Sequence, residues 1–384
     1  MKKTILTLSL LTVVLFGVQA QTSLGDEDFL NPLYTGVPSL SIAPDARAGA
    51  MGDVGAATTP DVYSQHWNPA KYAFMDSPAG FAFSFTPWLS NLVEDINLSY
   101  LCGYWKWDDL QAISASFRYF SLGRVLLKSH ADDDGFTAYP NEFAVDLAYS
   151  RKLGEKFSAS VGFRFIRSDL NIPVGATDGG SSMEMHPALS YAVDISAYYR
   201  TPLTFASGDG YLSFGANISN FGAKVTYDDL NYNFLPTNLR IGGSFEYPFD
   251  SYNSLSINAD VNKLLIPTKN DMSTEDYNNI SALSGVFKSF SDAPGGFKEE
   301  MQEILWAVGL EYSYNKQFFV RAGYSHENIN KGNRKYFTVG AGFKLTMFEL
   351  NAGYVIAATP ANPLDQTLRF SLGFDIFGIR DLFN

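Results

Sequence analysis

Ser64 and His66 stand two positions apart in the stretch SQHWNPA, with Trp67 beside them. A hydroxyl near an imidazole is the raw material of nucleophilic catalysis. The other histidines, His130, His186 and His326, are scattered and form no HxxH or HExxH spacing, so no transition-metal site is expected. Asp132, Asp133 and Asp134 ahead of Gly135 could gather calcium oxygens. The run lacks the spaced ligands and closing glutamate of a calcium loop, and it reads as a solvated acidic tip. No GxSxG elbow, phosphate loop or Cys/His pair accompanies these residues. The expectation is a protein that is not an enzyme and carries no cofactor, so SQHWNPA must be explained by the elements around it.

Composition narrows those elements. The first twenty residues, MKKTILTLSLLTVVLFGVQA, have a basic start, an apolar run from Ile5 to Val18 and a small residue at Ala20, as a secretory signal peptide does. Losing Lys2 and Lys3 with it lowers the 28 basic residues to 26 against 40 acidic ones, and the formal charge moves from −12 to −14. Such a balance argues against a nucleic-acid partner. Beyond the signal, no stretch approaches the roughly 18 apolar residues of a membrane-spanning helix. Yet the chain has 31 Phe, 22 Tyr and 5 Trp, an aromatic load hard to bury in a soluble domain of 384 residues. The other structure that spans lipid is a closed β-barrel.

The strand pattern supports that choice. In TLRFSLGFDI, Leu368, Phe370, Leu372, Phe374 and Ile376 share one face, while Arg369, Ser371, Gly373 and Asp375 share the other. Runs of this kind begin near Gly80, Ile96, Ala112, Glu142, Phe157, Pro187, Tyr211, Asn238, Leu255, Trp306, Phe318, Tyr336, Phe348 and Thr367. They number fourteen, an even count as single-chain bacterial barrels have. Links after even-numbered runs are short, RTPLTFASGDG being the longest, and links after odd-numbered runs are long. This alternation of periplasmic turns and external loops places both chain ends on the periplasmic side.

Charges such as Arg118, Asp146, Arg164, Asp194, Arg321 and Arg369 fall on the polar faces and read as a solvated or salt-bridged lumen. Trp88, Trp105, Trp107, Tyr199, Trp306 and Tyr314 fall near strand ends, as interfacial girdles require. Cys102, the single cysteine, lies in the alternation Leu98, Tyr100, Cys102, Tyr104 and reads as a lipid-facing hydrophobe. The largest external loop, 263–305, contains two helical spacings: Ile280, Leu283, Phe287 and Phe290, then Phe297, Met301, Ile304 and Leu305, with Asp292 and Pro294 opening the second. Such helices either cover the barrel mouth or present apolar surface to a partner.

Within this frame, PDARAGAMGDVGAATTPDVYSQHWNPA, Pro44 to Ala70, resembles the amino-terminal signature of the FadL-like outer-membrane barrels. Its beginning, PDARAGAMGDVG, is similar to that of the PorV (LptO) family of the Bacteroidetes type IX secretion system. The FadL resemblance implies an all-β, fourteen-stranded antiparallel outer-membrane barrel with an N-terminal plug. The PorV resemblance implies a shuttle rather than an enzyme. Such a protein binds the C-terminal signal domain of cargo leaving a large outer-membrane translocon and delivers it to a cell-surface attachment complex with a sortase-like protease. The alternative is a FadL-type transporter of hydrophobic small molecules.

These readings divide the chain into a signal peptide, 1–20, a periplasmic or plug segment, 21–79, and a lipid-embedded barrel, 80–384. In the plug, Trp67 lies beside a tight turn at Asn68 and Pro69, Ala70 packs closely in the lumen, and His66 is incidental. Exposed aromatic anchors dominate interface energetics, which makes Ile280, Leu283, Phe287, Phe290 and Phe297 the candidate partner-binding residues.

Overall fold

Fourteen antiparallel strands close into one barrel in the computed structural model, which describes residues 31–89, 95–127, 136–170, 185–269, 272–359, 362 and 364–376. The signal peptide, His130 and the Asp132–Gly135 run lie outside the described residues. The barrel strands are β1 Ala79–Pro87, β2 Asn97–Lys106, β3 Gln111–Ser121, β4 Asn141–Lys152, β5 Phe157–Asp169, β6 Ala188–Phe205 and β7 Gly208–Gly222. They continue with β8 Asn238–Pro248, β9 Asn253–Leu264, β10 Leu305–Tyr314, β11 Phe318–His326, β12 Tyr336–Lys344, β13 Phe348–Ala357 and β14 Leu368–Asp375. Each pairs with its sequence neighbours, and β1 closes on β14 with Gly80 opposite Asp375 and Phe85 opposite Phe370. Closure leaves no unpaired strand edge in the hydrocarbon, which is why a sheet can stand in lipid at all.

Side-chain alternation sets the two faces. In β1, Phe81, Phe83 and Phe85 are exposed while Ala82, Ser84 and Thr86 are buried. The exposed face is lipid-facing in an outer-membrane barrel. The RTPLTFASGDG link is not a loop: β6 and β7 run through it as paired strands and turn at 206–207. The exception in the alternation of link lengths therefore disappears, and a short ribbon of Val125–Leu127 paired with Phe136–Ala138 decorates one of the long loops.

Two sequence expectations, on Cys102 and Trp88, are corrected, and the N-terminal chain end lies outside the described residues. Residue 31 lies at the long-loop end, where Asn31 N–H donates to Asn330 O at 2.9 Å and Gly36 N–H donates to Phe234 O at 2.9 Å. The chain then crosses the barrel to the short-turn end, where Lys106 Nζ donates to Met75 O at 2.6 Å. Cys102 points inward, buried with Tyr63, Tyr72, Tyr100 and Tyr104. Alternation cannot separate a lipid-facing row from a row facing an apolar filling, and β2 presents the second. Trp88 packs against the cluster of Tyr336, Val355 and Leu364 rather than joining a girdle, whereas Trp105, Trp107, Tyr199, Trp306 and Tyr314 are exposed near strand ends as expected.

Candidate functional site

The interior segment is built from short turns of helix. Asp45 caps α1, Ala46–Gly49, by accepting from Ala48 N–H at 2.9 Å, and its other oxygen accepts from Trp67 Nε1 at 2.6 Å. Ser64–Trp67 forms α2, and Asn68 then caps a 3-10 helix, Pro69–Phe74, with Pro69 in the first turn where its missing N–H costs nothing. Trp67, Asn68, Pro69 and Ala70 are all buried and touch four consecutive strands. Ser150 and Ser158 donate to Pro69 O and Ala70 O at 2.8 and 2.7 Å, Asn68 Nδ2 donates to Ala197 O at 2.9 Å, and Asn217 Nδ2 donates to Trp67 O at 3.1 Å.

Nucleophile chemistry finds no support in this geometry. The Ser64 hydroxyl donates to Asp61 Oδ1 at 3.1 Å and accepts from Asp61 N–H at 3.2 Å. His66 turns the other way, its Nδ1 2.9 Å from Arg118 Nη2. Ser64 and His66 thus belong to different contacts, and His66 is a fixed part of the interior rather than incidental to it.

Buried ion pairs supply most of the polar closure. Glu311 accepts from Arg47 Nη2 at 2.9 Å and Nε at 3.1 Å, and from Arg321 Nε at 2.6 Å, while Arg47 also pairs with Asp61. Asp53 accepts from Arg369 at 2.5 Å and from the Tyr336 hydroxyl at 2.6 Å. Asp260 takes the N–H groups of Gly55 and Ala56 at 2.8 and 3.0 Å, with Arg240 at 3.2 Å. The interior segment thus meets Glu311 of β10 with Arg47, Arg369 of β14 with Asp53 and Asp260 of β9 with two backbone N–H groups, while Arg321 of β11 shares Glu311 and Asp61 pairs with Arg47 inside the segment. The segment also approaches the wall closely at glycines: a Cβ on Gly215 would fall 1.9 Å from Ala56 O, and one on Gly323 would fall 2.1 Å from the Met51 carbonyl carbon.

The long-loop end carries the second set of candidates. Three short helices occupy the connection between β9 and β10, where two are expected from the sequence: α3 Thr274–Asn279, α4 Ala282–Lys288 and α5 Phe297–Gln302. Ile280 ends α3 in an extended conformation, and Ser281 caps the next helix, so the spacing from Ile280 to Phe290 is not one helical face. Gly296, not Asp292 or Pro294, precedes α5. Ile280 is buried against Phe234, Ile266 and Tyr277, apart from the exposed candidates. Leu283, Phe287, Phe290, Phe297 and Met301 are exposed, Phe287 at 71% and Phe297 at 80%.

These exposed residues ride on a pinned support. Lys263 at the end of β9 holds Glu300 and Glu303 at 2.9 and 2.7 Å, and Lys331 holds Glu299 and Glu303 at 2.6 and 3.0 Å. Asp292 accepts from Thr268 N–H at 3.0 Å, and partial burial, with Glu300 and Glu303 nearby, pushes its carboxyl up to about 6. A carboxyl whose folded value lies above its unfolded 3.8 stabilises the loop fully below that value and loses this contribution as pH rises through about 6. Amide exchange around Thr268–Ala293, corrected for intrinsic rate, is expected to be slower at pH 4.5 than at pH 7.5. Asp292→Asn is expected to remove that difference, and an unchanged pH dependence in the variant would refute the assignment.

Sequence reasoning missed Arg47, Asp53, Asp61 and Lys71 as interior groups. The signal available was their presence in an otherwise Ala/Gly-rich segment; Arg47 and Asp53 face inward charges of the other sign, while Asp61 and Lys71 pair within the segment.

A family model described as "Type IX secretion system protein PorV" matches residues 26–271, more than half of the chain. The chain belongs to this family. It is accordingly an outer-membrane protein of the type IX secretion system with a FadL-like barrel. Among solved structures, the Pseudomonas putida toluene transporter TodX is similar at 10% identity and a TM-score of 0.53, covering 90% of this chain and 99% of that one. A TodX mutant described as a monoaromatic hydrocarbon channel is similar at 12% identity and a TM-score of 0.52, covering 86% and 98%. A Pseudomonas aeruginosa FadL homologue follows at 12% identity and a TM-score of 0.46, covering 86% and 98%. At such identities the likeness to TodX is one of fold. No curated protein matches the chain.

Proposed function

We propose that this PorV-family member is a sealed, non-enzymatic shuttle. It binds the C-terminal signal domains of translocated cargo at its long-loop end and delivers them from the translocon to the surface attachment complex. The observation that carries this reading is the contrast between the two ends of the interior segment's path. Residues 37–75 run buried through the barrel and pair with Glu311, Asp260 and Arg369 of its wall, with Trp67, Asn68, Pro69 and Ala70 as the plug, so the barrel offers no polar path for a polypeptide. The surface beyond it exposes Leu283, Phe287, Phe290, Phe297 and Met301 on a support held by two lysines. Apolar anchors on a pre-ordered scaffold bind with little ordering cost.

The alternative, transport of hydrophobic small molecules, needs an apolar route where the Arg47–Glu311–Arg321 and Asp53–Arg369 pairs now stand. Deleting the gene in the native host separates the two. Secreted proteins sharing a C-terminal domain are expected to accumulate in the periplasm and to co-purify with the intact protein from mild detergent. Normal secretion combined with lost uptake of an aromatic or fatty nutrient would reverse the assignment.

A further inference from the structure

The lipid-facing wall is not uniformly bulky. Across β2 to β6, the outward positions one step above the short-turn end are Gly103, Ala115, Leu147, Phe163 and Val193, each paired with the next. Gly103 and Ala115, side by side, leave a recess of about 650 Å³ whose walls are almost wholly apolar. One step toward the turns, Trp105, Ile113 and Tyr149 form its lower lip, and Trp107 stacks on Tyr149 with ring centroids 6.1 Å apart. Aromatic pairs of this kind mark the level where hydrocarbon gives way to headgroups.

Two residues further along β4, roughly 7 Å at strand rise, the same outward row reaches Arg151. Its side chain is exposed, and among the described residues it forms no salt bridge. Asp108, whose carboxylate feels its charge, is itself held by the N–H groups of Leu110 and Gln111 at 2.8 and 2.7 Å and by Gln111 Nε2 at 2.7 Å. An apolar recess, an aromatic lip and a cation thus succeed one another from the bilayer interior toward water. That order is the order of acyl chain, glycerol ester and phosphate in a phospholipid whose headgroup lies at the short-turn side, and a guanidinium binds phosphate bidentately.

We propose that this recess is a binding site for one phospholipid of the periplasmic leaflet, with an acyl chain over Gly103 and Ala115 and its phosphate on Arg151. Phosphate recognition separates the site from ordinary lipid solvation of a barrel wall. The occupant is a lipid rather than the wall of another protein because the cation lies at headgroup depth on an otherwise apolar face.

The test is native mass spectrometry of the full protein released from phosphatidylglycerol nanodiscs. The unaltered protein is expected to retain one lipid through activation that strips the rest. Ala115→Phe, which fills the recess, and Arg151→Ser, which removes the cation, are each expected to lower that occupancy at least fivefold. Ala341→Phe, an equal bulk on an exposed position of the far wall, is expected to leave it unchanged. Diacylglycerol, which lacks phosphate, is expected not to replace the lipid. Equal occupancy in the unaltered protein and Arg151→Ser overturns the phosphate site, and equal occupancy in Ala115→Phe overturns the recess. Should Ala115→Phe fail to run as a folded, heat-modifiable barrel, Arg151→Ser decides alone. Loss of a protein partner in Ala115→Phe with lipid retained would overturn the proposal in favour of a protein interface.

Discussion

Glu311→Ala is expected to destabilise the barrel by about 3–5 kcal/mol, the cost of leaving buried charge uncompensated. Glu311 is the shared anion of Arg47, from the interior segment, and Arg321, from β11, and all three are buried. Removing it leaves two guanidinium groups facing each other with Asp61, the Thr59 carbonyl and Asn351 as their remaining partners. Because Arg47 is the link, the segment should also loosen from the wall. The variant is expected to unfold at lower denaturant in detergent and to conduct ions in a planar bilayer where the unaltered protein does not. A triple replacement, Arg47→Met, Glu311→Leu and Arg321→Met, is the informative partner experiment. Buried ion clusters replaced as a unit by apolar groups of like volume cost little or even stabilise. If the single variant matches the unaltered protein in both stability and conductance, the triad does not hold the segment in place.

Phe287→Ser combined with Phe290→Ser is expected to weaken cargo-domain binding at least 30-fold, the equivalent of about 2 kcal/mol. Both rings are exposed, so their loss should leave barrel stability within about 0.5 kcal/mol of its starting value. Phe297→Ser alone tests the neighbouring helix in the same way. Ile280→Ser provides the contrast, because that side chain is buried with Phe234, Ile266 and Tyr277. It should raise amide exchange throughout the loop and reduce binding only through that loosening. Titration of the purified protein with an isolated cargo C-terminal domain reads all three variants. Unaltered affinity in the double phenylalanine variant would remove this loop from the binding surface and leave the secretion role to be sought elsewhere on the long-loop end.

The phenylalanine variants expose a limit of reading helices from spacing. Leu283, Phe287 and Phe290 are apolar at helical intervals and are exposed, whereas Ile280, fitting the same intervals, is buried in the preceding turn. Ser281 divides them by capping a new helix, and a capping hydroxyl is a local feature that the hydrophobic period does not register. The β2 row of Leu98, Tyr100, Cys102 and Tyr104 shows the same limit in a strand. Its alternation is plain, but its facing depends on Val62, Tyr63 and Tyr72, which the chain supplies from another element.

What the sequence by itself determined is the barrel: fourteen strands, their order and their alternating links. Strand identity depends on a two-residue period and antiparallel neighbours on short turns, and both are local. The expectation of a plugged lumen rests on the signature in Pro44–Ala70 and its place ahead of the first strand, whereas the polar inner faces alone read as a solvated or salt-bridged lumen. Only the tertiary structure decided that residue 31 lies at the long-loop end and that the segment crosses the lumen from there. It alone chose which charges meet, since Arg47 with Glu311 and Asp53 with Arg369 are each separated by more than 250 residues. Such pairings follow from closure of the sheet, which fixes inward positions of distant strands around one segment, and no periodicity within a strand encodes them. The stretch SQHWNPA illustrates both sides. Its sequence offered a hydroxyl and an imidazole, and the fold turned Ser64 to Asp61, His66 to Arg118 and Trp67 to Asp45.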